Sequence, residues 1–387
     1  MNKTQVNKTR SPGRMVGAVA AEQRAESRGL TGLRAVGALL VIFHHLYLHV
    51  TTDLHLVMMG SFLRGGYLGV DLFFVLSGFV LAMVYGPWFE GRTNGAWRRL
   101  PHFLLRRVAR LWPLHMAMLI VVVSVAYAKG DGLPSFDHAV ANVTMTQAWG
   151  LSGELNPPAW SLSTEMLAYL LFPLLAFPVL RGRRGGEAGL VAVVMLLAIC
   201  ILLAPPLGPA RRGLLDIYFN YSPLPMLRCL AGFVLGMVTW RIGQIPAIAG
   251  WFRNTWAGPL AVVLLLALLV GRVNDLVIYT LLPWVVLGCH LGRGPAWQCL
   301  ASGPLYALGV VSYAIYLLHV VLLLNFPFQL APLWAMLVLY AATTVTLAAL
   351  AYRLIECPAR VLLRRGGDAA LARLPGWWQP PLQGGPI

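Results

Sequence analysis

The chain has 387 residues, 58% hydrophobic and only 11% charged, with a mean hydropathy of +0.70. A soluble domain carries about 25% charged residues, so this composition excludes one and describes a polytopic membrane protein. The net charge of +16 is spread between apolar runs, where membrane topology explains it; no nucleic-acid motif accompanies it, and nucleic acid is not expected as a partner.

Residues 1–29 form a basic tail (Lys3, Lys8, Arg10, Arg14, Arg24, Arg28). No short apolar core with a cleavage site follows directly, so the first apolar run is expected to stay as a signal anchor. Ten apolar segments follow, each near the roughly 20 residues that span a bilayer: 31–51, 66–86, 111–128, 158–180, 188–207, 222–240, 255–272, 276–292, 304–325 and 333–353. The expected fold is therefore all-α, with about ten transmembrane helices. The intervening loop 129–157 carries Asp131, Asp137 and Glu154. With the N-terminus in the cytoplasm, most of the 30 basic residues fall on the cytoplasmic side, and both termini come out there. Arg211 and Arg212 are the local exception. The expected division is a tail (1–29), a transmembrane domain (30–363) and a flexible Gly- and Pro-rich cytoplasmic tail (364–387) containing Trp377 and Trp378. The five scattered cysteines have no metal-ligand spacing, so neither a disulfide framework nor a metal site is expected. No internal repeat is visible, which disfavours an inverted-repeat transporter.

Ionisable residues inside hydrocarbon cost roughly 2.5–3.5 kcal/mol even on a lenient scale, and they usually face a polar cavity. Arg34, Asp71, Glu165 and Arg228 are four such residues, and His45 and His319 lie in similar segments. Arg34 and His45 stand eleven residues apart on one predicted helix, within about 20° of one face and about 16 Å apart along the axis. Counting from the segment ends places Asp71, Glu165, Arg228 and His319 in the outer half, near His45. The five are thus expected to share one polar chamber.

His45 has a side chain suited to general-base work near neutral pH, with Asp71 or Glu165 as the group that would orient it. Arg34 presents a planar fork that fits phosphate or carboxylate. Arg106, Arg107 and Arg110 form a basic stretch leading into the third segment, suited to nucleotide-like phosphates. Each has a blander reading: a snorkelling arginine, a helix-packing histidine, a topology anchor. His44 and His49 compete with His45 on periodicity alone. Gly65, Gly66 and Gly69 allow tight entry into the second segment. Asn156-Pro157-Pro158 breaks the chain before the fourth, where Ser161, Ser163 and Thr164 either line the site or cap the helix.

Taken together, these motifs resemble the acyltransferase 3 family of integral membrane acyltransferases. GLRAVGALLVIFHH is similar to the family's Arg-x10-His signature and registers on Arg34 and His45, selecting His45 over His44. GGYLGVDLFFVLSGF (65–79), FLLRRVARLWP (103–113), NPPAWSLSTEMLAYLLFP (156–173), LGVVSYAIYLLH (308–319) and RLIECPAR (353–360) follow in family order. Cys357 departs from the family's common lysine after the last glutamate. The resemblance implies transfer of an acyl group, usually acetyl, from acyl-CoA (acetyl-CoA) as co-substrate, with no tightly bound cofactor. The acceptor would be a carbohydrate or lipid-linked glycan hydroxyl, and the location the bacterial cytoplasmic (inner) membrane, among membrane lipids. His45 would take the acceptor proton, directly or after forming an acyl-imidazole. Asp71 and Glu165 would orient it or hold sugar hydroxyls. Arg34, Arg106, Arg107 and Arg110 would contact donor phosphates, and Arg228, Ser163, Ser312 and His319 complete the expected substrate-binding set. Some relatives carry an added esterase-like domain; this chain is expected to be a stand-alone form. The competing readings are a transporter or flippase for a lipid-linked glycan or proton-coupled solute, and a non-catalytic scaffold.

Overall fold

The computed structural model describes residues 12–50, 65–89, 95–150, 152–204, 213–217, 222–253, 260–261, 264, 273–330 and 332–373. Among these the secondary structure is helical, with no strand. Seven helices are long and apolar enough to cross a membrane, or eight if a bent pair counts as one span. The expected segment 255–272 lies almost wholly outside the described residues, as do Arg211, Arg212, Trp377 and Trp378.

We label the main helices in chain order. α1 is Pro12–Val50, with Arg28–His49 as its membrane-length part. α2 is Gly69–Phe89, entered through a tight turn at Gly65–Leu68. α3 is Leu100–Ala128 and α4 is Phe136–Val143. α5 is Trp160–Ala176, continued by a wide turn at Phe177–Arg181. α6 is Gly185–Leu203 and α7 is Leu224–Gly243. α8 is Asp275–Leu291, at 17 residues a short apolar helix. α9 is Gly303–Val310 and α10 is Ser312–Asn325. α11 is Leu333–Ala351, and after a wide turn at Tyr352–Glu356 the chain continues as α12, Cys357–Leu371.

Three boundaries differ from expectation. α3 begins eleven residues before residue 111, so Arg106, Arg107 and Arg110 ride on the helix rather than leading into it. The expected boundaries at 29 and 363 fall inside α1 and α12. The segment 304–325 is broken at Val311, where α9 and α10 bend by 68°. Ser312 sits at this break, and its hydroxyl donates to the Gly309 carbonyl at 2.8 Å, satisfying a group that the bend frees.

At the centre, α2 and α7 lie back to back. A Cβ at Gly78 would fall 1.9 Å from the Phe233 carbonyl oxygen, and one at Gly236 would fall 2.0 Å from that of Val75. Only glycine permits this approach, as in other closely packed membrane helices. Around the crossing, Phe103 stacks on Phe172 with ring centroids 5.3 Å apart, and Phe172 meets Phe233 edge-on at 6.0 Å. α6 and α11 present exposed apolar side chains outward, among them Val194, Leu202, Trp334 and Val338. That exposure suits lipid and would be unfavourable in water.

α5 starts inside the protein rather than at its edge. The loop before it folds inward: Gln147 Nε2 donates to the Ala159 carbonyl (3.0 Å), the Ala148 amide to Ser163 Oγ (3.1 Å), and Trp149 Nε1 to the Ser163 carbonyl (3.0 Å). Asn156 Nδ2 reaches the Leu317 carbonyl in the middle of α10 (3.1 Å). The start of α5 therefore lies level with residues 316–317, one turn from His319.

Candidate active site

α1 carries the two ends of the site. Its Arg34 lines a cavity of about 80 Å³ together with Arg107 and Arg110 of α3, Glu165 and Tyr169 of α5, Ser77 of α2, and Ser312, Tyr313 and Tyr316 of α10. Three guanidiniums thus face one carboxylate. Glu165 is held: Ser77 Oγ and Tyr169 OH each donate to its Oε1 at 2.5 Å. Arg107 Nη2 donates to Tyr85 OH (3.1 Å), and its guanidinium lies over the Tyr85 and Tyr169 rings. Its buried Nε has no hydrogen-bond partner among the described residues. The cavity is therefore a positively charged recess suited to a polyanion.

Eleven residues and about 16 Å along α1, His45 meets His319 of α10. His45 Nδ1 lies 2.9 Å from the Val41 carbonyl, and His319 Nδ1 lies 2.6 Å from the Tyr316 carbonyl. A carbonyl oxygen only accepts, so in the neutral rings each Nδ1 carries the proton. His319 Nε2, 3.3 Å from His45 Nδ1, then presents a lone pair to that N–H. Both neighbours favour the proton on His45 Nδ1, which makes Nε2 the nitrogen suited to act as base or nucleophile. His44 is buried against the Tyr67 ring at 5.5 Å, and His49 is exposed beside Phe328. The structure thus separates the three histidines that periodicity leaves equal.

The single chamber of five polar residues divides into three groups. Asp71 is fully buried, and both its oxygens are taken by Arg228: Nε to Oδ1 at 2.9 Å and Nη2 to Oδ2 at 2.5 Å. Arg228 spends its remaining reach on the Ile217 carbonyl (3.1 Å) and is 2% exposed. Asp71, expected to orient His45 or hold sugar hydroxyls, and Arg228, expected at the substrate, are placed against each other, and each satisfies the other, as a buried ion pair must. Glu165 lines the cavity with Arg34, Arg107 and Arg110. Because α5 starts at the depth of Leu317, Glu165 lies further along, at the level of Arg34. His319, expected among the substrate contacts, is instead the partner of His45.

Ser163, Arg106 and Ser312 occupy three different settings. Ser163 is fully buried and holds the Ala148 amide, so it positions the inward loop. Ser161, one turn's edge away, is the hydroxyl that borders the cavity, 2.8 Å from Tyr316 OH. Arg106 does not line the cavity; it lies over the Trp88 ring, 5.6 Å from its centroid. Ser312 does line it, though its hydroxyl also serves the α9–α10 break.

Sequence reasoning passed over Ser77, Tyr169, Tyr313 and Tyr316. The signal was helical spacing: Tyr169 follows Glu165 by four residues, and Tyr316 precedes His319 by three. Phe73 and Tyr316 line the cavity, their rings 5.9 Å apart, and the Tyr316 ring lies 5.8 Å from that of His319. This ring pair therefore sits between the arginine recess and the histidines.

No solved structure matches the chain. Among curated proteins it is 27% identical over 382 residues to the putative peptidoglycan O-acetyltransferase YrhL of Bacillus subtilis, covering 86% of this chain and 54% of the relative. It is 26% identical over 368 residues to the peptidoglycan O-acetyltransferase OatA of Listeria monocytogenes, covering 86% and 55%. It is 29% identical over 323 residues to the acyltransferase MdmB of Streptomyces mycarofaciens, covering 75% and 77%. The chain thus spans about half the length of the two peptidoglycan relatives. The acyltransferase-domain model matches residues 27–353, which include Arg34, the three α3 arginines, Glu165 and both paired histidines, and the chain belongs to the acyltransferase 3 family.

Proposed function

We propose that this protein is a membrane O-acyltransferase that moves an acetyl group from acetyl-CoA to a hydroxyl of a cell-surface or exported carbohydrate. The observation that carries this reading is one helix holding Arg34 in a cationic recess and, about 16 Å along, His45 with its Nδ1 between the Val41 carbonyl and His319 Nε2. In this reading the arginine end faces the cytoplasm, where acyl-CoA is made. Arg34, Arg107 and Arg110 bind the phosphates of the donor, and the acyl-bearing arm points along α1 toward His45.

His45 Nε2 takes the proton of the acceptor hydroxyl as its oxygen attacks the thioester carbonyl. The carbon–sulfur bond breaks, and the leaving thiolate takes the proton from the imidazolium. In the two-step variant His45 Nε2 itself attacks the thioester carbonyl, the carbon–sulfur bond breaks and the thiolate leaves; the acceptor oxygen then displaces the imidazole from the acyl group, and the hydroxyl proton passes to the thiolate. His319 steadies the imidazole in both variants. Peptidoglycan, named for two relatives, is one member of the proposed acceptor class.

The test is purified protein with radiolabelled acetyl-CoA and a panel of envelope glycans, beside His45→Ala. Label should reach at least one glycan and be lost with the histidine. Transfer that survives His45→Ala rejects the base assignment. Solute uptake in vesicles without any transfer rejects the enzyme in favour of a transporter.

A further inference from the structure

α12 packs antiparallel on α3. Gly367 faces the Leu105 side chain, Asp368 lies within electrostatic range of His102, and Glu356 within range of Arg110. This register sets Arg364 within electrostatic range of Arg106 and Arg107, and of Tyr85, to which Arg107 donates. Arg360 and Arg364 are four residues apart and share a face of α12. Their roles differ. Arg360 is paired with the buried carboxylate of Glu356, which pins α12 at its start. Arg364 has no ion pair among the described residues, and its Nε is buried without a hydrogen-bond partner; Arg106 has no ion pair there either. Arg106 and Arg364 thus extend the arginines of the recess (Arg34, Arg107, Arg110) along α3 and α12, within electrostatic range of Arg107. Like charges gathered this way repel unless an anion joins them.

We propose that Arg364, with Arg106, forms a second phosphate site at the rim of the recess, and that it holds the 3′-phosphomonoester of the donor's adenosine head. This rests on the acyl-CoA reading above and deepens it: the deep arginines take the diphosphate, and the rim arginines select the phosphorylated nucleoside. A free phosphomonoester and an anionic lipid headgroup share the chemistry that Arg364 recognises, so the experiment separates them.

The protein is reconstituted in nanodiscs of phosphatidylcholine alone or with phosphatidylglycerol. Binding and transfer are measured with acetyl-CoA and with acetyl-3′-dephospho-CoA, for the wild type, Arg364→Ala, Arg364→Lys, and Arg365→Ala as an exposed neighbour. A charge-assisted contact to phosphate is worth about a tenfold or greater preference. The wild type should therefore prefer acetyl-CoA by that factor. Arg364→Ala should lose the preference by weakening acetyl-CoA alone, Arg364→Lys should restore part of it, and Arg365→Ala should change nothing. Unchanged binding of the dephospho donor shows that the variant is folded. The proposal is overturned if Arg364→Ala weakens both donors equally or neither. It is also overturned if the variant's effect appears only with phosphatidylglycerol, which assigns the arginine to lipid. A wild type that binds neither donor overturns the acyl-CoA reading itself, whereas equal wild-type affinity for the two donors overturns only the rim site.

Discussion

Two groups of charge lie within the apolar body of this protein, one fully buried and one bordering a cavity, and they behave differently. Asp71 and Arg228 close on each other through two hydrogen bonds, with the Tyr67 and Trp160 rings near the guanidinium. Neither residue borders the cavity. Arg34, Arg107 and Arg110 instead surround a cavity with Glu165, whose recorded donors are hydroxyls rather than arginines. Both groups look alike in sequence, as rare charges in apolar segments. The difference teaches that intramembrane charge alone does not mark a site. A charge whose hydrogen bonds are complete holds helices together, and a charge that borders open space is available for binding.

The sharpest way to break this comparison is at the far end of α1. His45→Ala should lower kcat for acetyl transfer about 10²–10⁴-fold while leaving donor affinity intact, as read by turnover and equilibrium binding of acetyl-CoA. Equal loss of binding would place His45 in the recess rather than beyond it. Next comes the closed pair. Arg228→Met leaves the Asp71 carboxylate buried alone and should destabilise the protein by about 3–5 kcal/mol, visible in thermal unfolding in detergent. Asp71→Leu with Arg228→Met should recover most of that stability and much of the activity, because neither group touches substrate. Recovery of stability without activity would return the pair to the active site.

His319→Phe keeps a ring in place but removes one of the two acceptors at His45 Nδ1–H, leaving the Val41 carbonyl alone. Misplacing a reacting group can cost about 100-fold, so kcat should fall by that order while KM for acetyl-CoA stays constant. A change in KM alone would make His319 a substrate contact instead. The smallest expected effect is at the recess. Arg34→Met should raise KM for acetyl-CoA about 10- to 100-fold and leave the unfolding midpoint nearly unchanged. A large loss of stability there would mean that Arg34 is as structural as Arg228.

Much of this molecule is legible from residue order. Hydropathy located Arg28–His49, Gly65–Phe89, Pro157–Arg181 and Leu224–Gly243 to within a few residues, because a bilayer dictates length and apolarity locally. The joint placement of Arg34 and His45 on one helix also followed, since helical rise and twist depend on the backbone alone. Depth was not legible beyond a single helix. Counting from the apparent start of α5 sets Glu165 only relative to the end of its own segment; the loop through Gln147–Trp149 folds inward, brings that start to Leu317 and leaves Glu165 lining the cavity with Arg34. Partnership was not legible either: Asp71 chose Arg228, 157 positions away, and His45 chose His319, 274 positions away. The sequence alone determined which residues are costly in hydrocarbon and roughly how far apart they stand on their own helices. Only the packing of α2, α5, α7 and α10 decided which of them neutralise one another and which face a cavity, because hydrogen bonds and ion pairs depend on contacts between helices that no local pattern encodes.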